Sequence, residues 1–278
     1  MSQGALPRPA APSVRPKRPR AFRVGHLPGF GLWTALVFLY LYAPLVILVA
    51  FSFNDNRAVT VWRGFTLEWY GTLLGNAELR RAALTSLGVA AVATVVATVV
   101  ATLAALVLVR GGAFRGQRAV GALLLSPLMI PEIVTAVATL ALFALLGVSL
   151  GVCRVVLAHC AFCIPFAFLP IQARLRSLDR SLEAAAQDLY APPWRVFRRV
   201  TLPLLAPGIA AGALLAFIIS LDDFVITLMV AEPGTTTLPL YIYGLVRLGV
   251  TPEVNAVSSA MLALSILVVT LSLLLQRR

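Results

Sequence analysis

An all-α, polytopic membrane fold with six transmembrane helices follows from three features of this chain of 278 residues. Six apolar runs reach the roughly 20 residues needed to cross a bilayer. Composition stands at 60% hydrophobic against 12% charged residues, more apolar surface than a soluble domain can cover. Arginine gathers beside alternate runs, the pattern that sets orientation in a membrane. The net charge of +12 would also suit a nucleic acid, but the basic residues adjoin apolar spans instead of sharing a polar face with stacking aromatic rings.

Residues 1–30 are rich in Pro, Arg, Ala and Gly with no apolar period, and read as a disordered basic arm that sets topology and can touch anionic lipid. The run at 31–53 is longer than a signal-peptide core and lacks an A-x-A exit, so it is expected to remain as the first span. Residues 31–278 then form the membrane domain. In the outer loop 54–81, Trp62, Phe65, Trp69 and Tyr70 sit among polar residues, the placement of an aromatic belt at the outer leaflet. Contact with a solute-delivering protein is the second reading of those rings.

Spans two and three are expected at 82–108 and 119–146, the third kinked at Pro127 and Pro131. Span four, 152–171, holds Cys153, His159, Cys160 and Cys163. Three cysteines in one apolar stretch imply no disulfide framework. No metal site is expected either, because positions 159, 160 and 163 do not share one helix face and no second ligand group accompanies them. The fifth span is expected at 203–230 and the sixth at 254–275, joined by an outer loop that opens on the turn pair Pro233-Gly234.

Six spans put both termini on one side. The arm, the 110–118 connection, the 172–202 loop and the C-terminus carry 17 of the 23 Lys and Arg residues; Arg57, Arg63, Arg80, Arg81, Arg154 and Arg247 fall on the other face. The bias places both termini and the 172–202 loop in the cytoplasm.

Within that loop, residues 181–208 read SLEAAAQDLYAPPWRVFRRVTLPLLAPG, a polar and helix-prone stretch between two apolar ones. One short helix is expected from Leu182 to Ala191, and a second, after a break at Pro192-Pro193, leading into span five. Leu182, Ala185, Ala186 and Leu189 make a narrow, alanine-rich stripe that suits a protein groove better than lipid. The stretch resembles the EAA loop of the permease subunits of ATP-binding-cassette importers, of pattern E-A-A-x-x-x-G with Leu-Pro about a dozen residues later. Leu202-Pro203 closes it here. In that register Ala184 takes the glutamate position with Glu183 one residue early, and Tyr190 takes the glycine position, for which the Pro192-Pro193 break is expected to substitute. Ala185, Asp188, Leu189, Ala191 and Arg198 lie in the motif's interior. The run SLDDFVITLMV, with the Leu-Pro, Val-Arg and Pro-Glu-Val-Asn-Ala series after it, resembles polyamine (spermidine/putrescine)-type permeases, and the likeness covers about residues 30–275.

The resemblance implies a type I importer fold, a homologous second permease, two ATPase subunits that bind ATP-Mg, a soluble solute-binding protein and a place in the bacterial inner membrane. The chain carries no Gly-x-x-x-x-Gly-Lys-Ser/Thr, Gly-x-Ser-x-Gly or His-Glu-x-x-His motif, so it is expected neither to hydrolyse nucleotide nor to bind a cofactor itself. Glu132, Asp222 and Asp223 are the acids within spans. Each costs about 2.5–3.5 kcal/mol to insert, which makes them candidates for the path of a cationic solute. Adjacent helical residues point about 100° apart, so one aspartate is expected to face the path while the other caps or pairs. Two other classes compete. An ion-gradient-driven secondary transporter could use one of these acids as proton carrier, but leaves the EAA-like loop without a purpose. A membrane scaffold leaves the acids in kinked spans unexplained.

Overall fold

The computed structural model describes residues 30–56, 61–249 and 251–276, so the basic arm, Phe30 apart, lies outside the described residues. Twelve α-helices follow in order among them: α1 (Phe30–Phe51), α2 (Glu68–Gly75), α3 (Ala77–Arg110), α4 (Gln117–Leu125), α5 (Glu132–Leu145), α6 (Val152–Ser177), α7 (Ser181–Asp188), α8 (Pro193–Val196), α9 (Leu202–Asp222), α10 (Val225–Val230), α11 (Leu238–Leu248) and α12 (Pro252–Gln276). Five helices are long and apolar enough to cross a bilayer, and the α4–α5 pair makes a sixth crossing if it is one broken span. By internal contacts the chain divides into residues 1–47 and 48–278. In the first unit, residues 30–47 are an apolar helix that runs through Pro44, with Phe38 stacked on Tyr42 at 6.0 Å.

The core of the second unit is the bundle of α3, α6 and α9. In α3, Ala93, Ala97, Ala101 and Ala105 recur every four residues and are fully buried. Such a small-residue stripe lets helix backbones approach closely, which is how packing energy is gained where lipid is as apolar as the core. In α9, Gly208 and Gly212 perform the same task against α6. A Cβ built on Gly208 would lie 2.5 Å from Arg174 Cβ, and one on Gly212 2.6 Å from the Ala167 carbonyl oxygen. Phe168, Ile171, Leu175 and Leu205 fill the rest of this interface with no exposed surface.

Beyond α6 running on to Ser177 past the expected 171, three boundaries differ from the sequence expectation, each for a local reason. Helix α3 begins at Ala77, before the apolar run, because the Asn76 side chain accepts the backbone N–H groups of Glu78 and Leu79 at 3.0 Å each. The third span is not one kinked helix over 119–146. It stops at Leu128 and restarts at Glu132 with a bend of 107°, since Pro131 lacks an N–H and takes extended backbone (φ −54°, ψ 133°). The fifth span, expected to run unbroken over 203–230, also breaks: α9 ends at Asp222, Asp223 is extended (φ −62°, ψ 128°), and α10 starts at Val225.

The outer loop after α1 is built around the buried Asn54. Its side-chain oxygen accepts the N–H groups of Asn56 and Arg63, and its carbonyl accepts Trp69 Nε1–H at 2.8 Å. Tyr70 shares a hydrogen bond with Ser52 at 2.7 Å. Of the four rings expected at a lipid belt, Trp62 and Phe65 are exposed, while Trp69 and Tyr70 are half-buried and hold the loop together.

Candidate functional site: an acidic cavity and the motif loop

The two breaks meet. Helices α5 and α10 pack on each other, and beside them opens a cavity of about 360 Å³ lined by Glu132, Phe162, Phe166, Ile218, Ile219, Asp222, Asp223, Phe224 and Val225. Glu132 is the first residue of α5, where a carboxylate complements the helix dipole, and it is exposed. Asp222 ends α9 and is exposed as well. Asp223 has a side chain only 1% exposed and accepts the N–H groups of Ile226 (3.3 Å) and Thr227 (3.0 Å), capping α10. Thr227 Oγ1–H donates to it at 2.9 Å, and His159 Nε2 lies 3.1 Å away.

All three acids named from the sequence thus border one cavity. The continuous helix presumed by the 100° argument ends between Asp222 and Asp223, but the expected cap is there: Asp223 caps α10 and Asp222 stays exposed. Sequence reasoning weighed His159 only as a metal ligand and passed over the rings of Phe162, Phe166 and Phe224. A signal was present for the first three, since positions 159, 162 and 166 on α6 follow the spacing of one helix face. Phe162 and Phe166 pack at 5.2 Å. Cys160 and Cys163 are free thiols, and among the described residues no His, Cys, Asp and Glu group could hold a metal.

Elsewhere, Glu232 binds the start of α6 to the loop before α11. Its carboxylate accepts Gly151 N–H at 2.8 Å and Arg154 Nη1–H at 3.1 Å. The Gly151 amide first, and the Arg154 guanidinium after it, hold this carboxyl below the usual glutamate range. Arg154 also lies over the Phe143 ring at 5.2 Å.

The motif loop is tied to the end of α3. Arg180 donates to the Val109 carbonyl at 2.6 Å and Arg110 to the Leu178 carbonyl at 3.1 Å; Gln117, at the start of α4, donates to the Leu108 carbonyl at 2.9 Å, so two carbonyls left over at the end of α3 are satisfied. Asp179 accepts Ser181 N–H at 2.9 Å where α7 begins, a bond that holds its carboxyl below the ordinary range. Glu183 accepts Thr201 Oγ1–H at 2.9 Å and stands 3.6 Å from Arg110 Nε. Thr201 closes a turn of π-helix, Phe197–Thr201, through which α8 runs on into α9, so that Pro193–Asp222 is one rod of 30 residues.

The break in the loop covers 189–192, so it begins before the expected Pro192-Pro193 and takes in Pro192. Helix α7 ends at Asp188, three residues short of the expected Ala191, and Tyr190 itself turns left-handed with φ 57°. Ala191 N–H bonds to the Ala186 carbonyl and Tyr190 N–H to the Gln187 carbonyl, the Schellman pattern in which glycine is usual. Tyrosine therefore adopts the glycine conformation instead of displacing the turn. Pro193 then opens α8 at a position where a missing N–H costs nothing. Leu189, Tyr190 and Trp194 are 82%, 96% and 68% exposed. Ala184, Ala185, Asp188, Arg198 and Pro203 are also exposed, whereas Ala191 and Leu202 are half-buried.

A bundle of broken and unbroken apolar spans around an acidic cavity, with a polar helical loop standing out at one end, defines a multi-pass transport subunit. Residues 97–278 match the family of binding-protein-dependent transport system inner membrane components. The chain is 43% identical over 233 residues to the putrescine transport system permease protein of Escherichia coli (strain K12), covering 82% of this chain and 83% of that one. It is 43% identical over 243 residues to the spermidine/putrescine transport system permease protein of Haemophilus influenzae, covering 87% and 94%. A bacterial ABC transporter that imports the acidic polysaccharide alginate shares the fold, with a TM-score of 0.70 over 89% of this chain and 93% of that one at 18% identity. The chain belongs to the binding-protein-dependent transport system inner membrane component family. It is an inner-membrane permease subunit of an ABC importer, and the ion-gradient alternative gives way to that assignment.

Proposed function

We propose that this chain forms half of the path by which polyamines such as putrescine or spermidine, or a related small cationic or amino-acid-derived solute, cross the membrane. The cavity carries this reading. Asp222 and Glu132 offer open carboxylates between the rings of Phe162, Phe166 and Phe224, and ammonium groups are attracted both to carboxylates and to ring faces. The names of the relatives point the same way.

In this reading a homologous second permease completes the path, a periplasmic or extracellular solute-binding protein delivers the solute, and two ATPase subunits hold ATP-Mg. Lipid surrounds the permease domain, 31–278, with the arm 1–30, both termini and the 172–202 loop in the cytoplasm. The ATPase seats on α7 and the turn after it: Glu183, Ala184, Ala185, Asp188, Leu189, Tyr190 and Ala191, with Arg198, Leu202 and Pro203 behind. The exposed Leu189, Tyr190 and Trp194 supply apolar surface for such a contact. Movement imposed on the loop reaches the acids through the rod Pro193–Asp222, about 45 Å long at 1.5 Å per residue, whose far end is Asp222.

The test is copurification. Replacing Asp188 and Leu189 together with Arg is expected to abolish association with the ATPase while membrane insertion survives; unchanged association would remove the docking assignment.

A further inference from the structure

His159 is 1% exposed on α6, and both edges of its ring are bonded. Nδ1 meets Ser220 Oγ at 2.8 Å, and Nε2 meets Thr227 Oγ1 at 3.0 Å and Asp223 Oδ2 at 3.1 Å. Thr227 Oγ1 gives its own proton to Asp223, so toward His159 it can only accept, which puts a proton on Nε2. The three partners belong to the end of α9, the break and the start of α10. One imidazole from a third helix therefore ties together both sides of the interruption. Asp223 is engaged by four donors inside the protein, three of them on Oδ2, and its side chain is buried. Asp222, its neighbour in sequence, makes no hydrogen bond among the described residues and remains exposed at the cavity.

Resting on the reading of this cavity as the solute path, we propose that His159 is its positioning residue. By pinning Asp223 and the two helix ends, the ring fixes the direction in which Asp222 presents its carboxylate to a cationic solute. The ring itself touches no solute; it acts through the backbone of the break.

A double-mutant cycle tests this, because residues that act through one another fail to add. Uptake of labelled putrescine is measured at low and at saturating concentration in the assembled importer carrying His159→Ala, Asp222→Asn or both. His159→Ala is expected to lower uptake several-fold at low solute and less at saturation, and to add nothing to Asp222→Asn. His159→Gln, which keeps a donor toward Asp223, should recover most of the loss. His159→Phe, of similar size without polar atoms, carries the same cycle if the alanine variant does not assemble. Losses that multiply, or parental uptake in His159→Ala or His159→Phe, overturn the proposal, and failure of both variants to assemble also overturns it by assigning the ring to folding. Parental uptake in Asp222→Asn alone would instead remove the solute-path reading, and this inference with it.

Discussion

Tyr190 stands where the fold asks for glycine, and the cost of that choice can be measured. Its φ of 57° lies in the left-handed region, which costs a residue bearing Cβ about 1–2 kcal/mol. The ring is 96% exposed, so burial does not offset the cost. Tyr190→Gly removes it but loosens the unfolded chain by about 0.5–1 kcal/mol, leaving a net gain of about 0.5–1 kcal/mol. That corresponds to a local opening equilibrium roughly two to five times smaller. Hydrogen exchange at the amides of positions 190 and 191, which close the turn onto Gln187 and Ala186, reads the opening directly. Exchange is expected to slow about two- to fivefold in Tyr190→Gly and to quicken in Tyr190→Val, whose β-branch is ill suited to positive φ. Equal or faster exchange in the glycine variant would refute the claim that the loop's turn is strained.

Gly212→Ala should destabilise the α6–α9 pair despite alanine's higher helix propensity, by about 1–3 kcal/mol as overpacking does, because the added Cβ meets the Ala167 carbonyl. Gly88→Ala in α3, where a Cβ meets nothing within 4 Å, is the control and should be neutral or stabilising in the same unfolding measurement. The Glu232 tie should be acid-labile. Its carboxyl titrates below the ordinary glutamate range in the folded chain, so its contribution is complete above that range and disappears as pH falls through the lowered value. Protection of the Gly151 amide should follow that course and lose its pH dependence in Glu232→Gln. With the native cysteines replaced, a cysteine at position 187 should resist an impermeant thiol reagent in intact cells while one at position 56 reacts; labelling of 187 from outside would reverse the orientation.

Run length alone made most spans legible, since few soluble arrangements tolerate 20 apolar residues in succession. Helix ends were less so. Asn76 is a visible cap, but its register became certain only from its two accepted N–H groups. Proline identity did not separate a kink from a break: Pro44, Pro165, Pro170 and Pro207 lie inside helices, whereas Pro131 lies in a break, just before α5. The difference depends on whether neighbouring groups satisfy the freed carbonyls, which is tertiary information. At the cavity, scarcity of charge in apolar runs singled out Glu132, Asp222 and Asp223. That one of the two aspartates caps was legible, but that it is Asp223 was not, because the cap depends on a helix end that no proline or glycine marks. His159 was undervalued for a similar reason: its partners, Ser220 and Thr227, are 61 and 68 residues away in sequence.

In the function proposed above, ATP drives a cation past Asp222 and Glu132. The most direct test of this is uptake of labelled putrescine into proteoliposomes holding the complete importer and its binding protein, with ATP supplied on the side of the motif loop. Uptake is expected to require ATP. It should fall several-fold in Asp222→Asn, less in Glu132→Gln, and furthest when both are combined, with assembly intact, each lost charge-assisted bond being worth roughly 1–3 kcal/mol. Parental uptake in the double variant, or uptake that follows an ion gradient without ATP, would rule out this role for the two acids and for ATP.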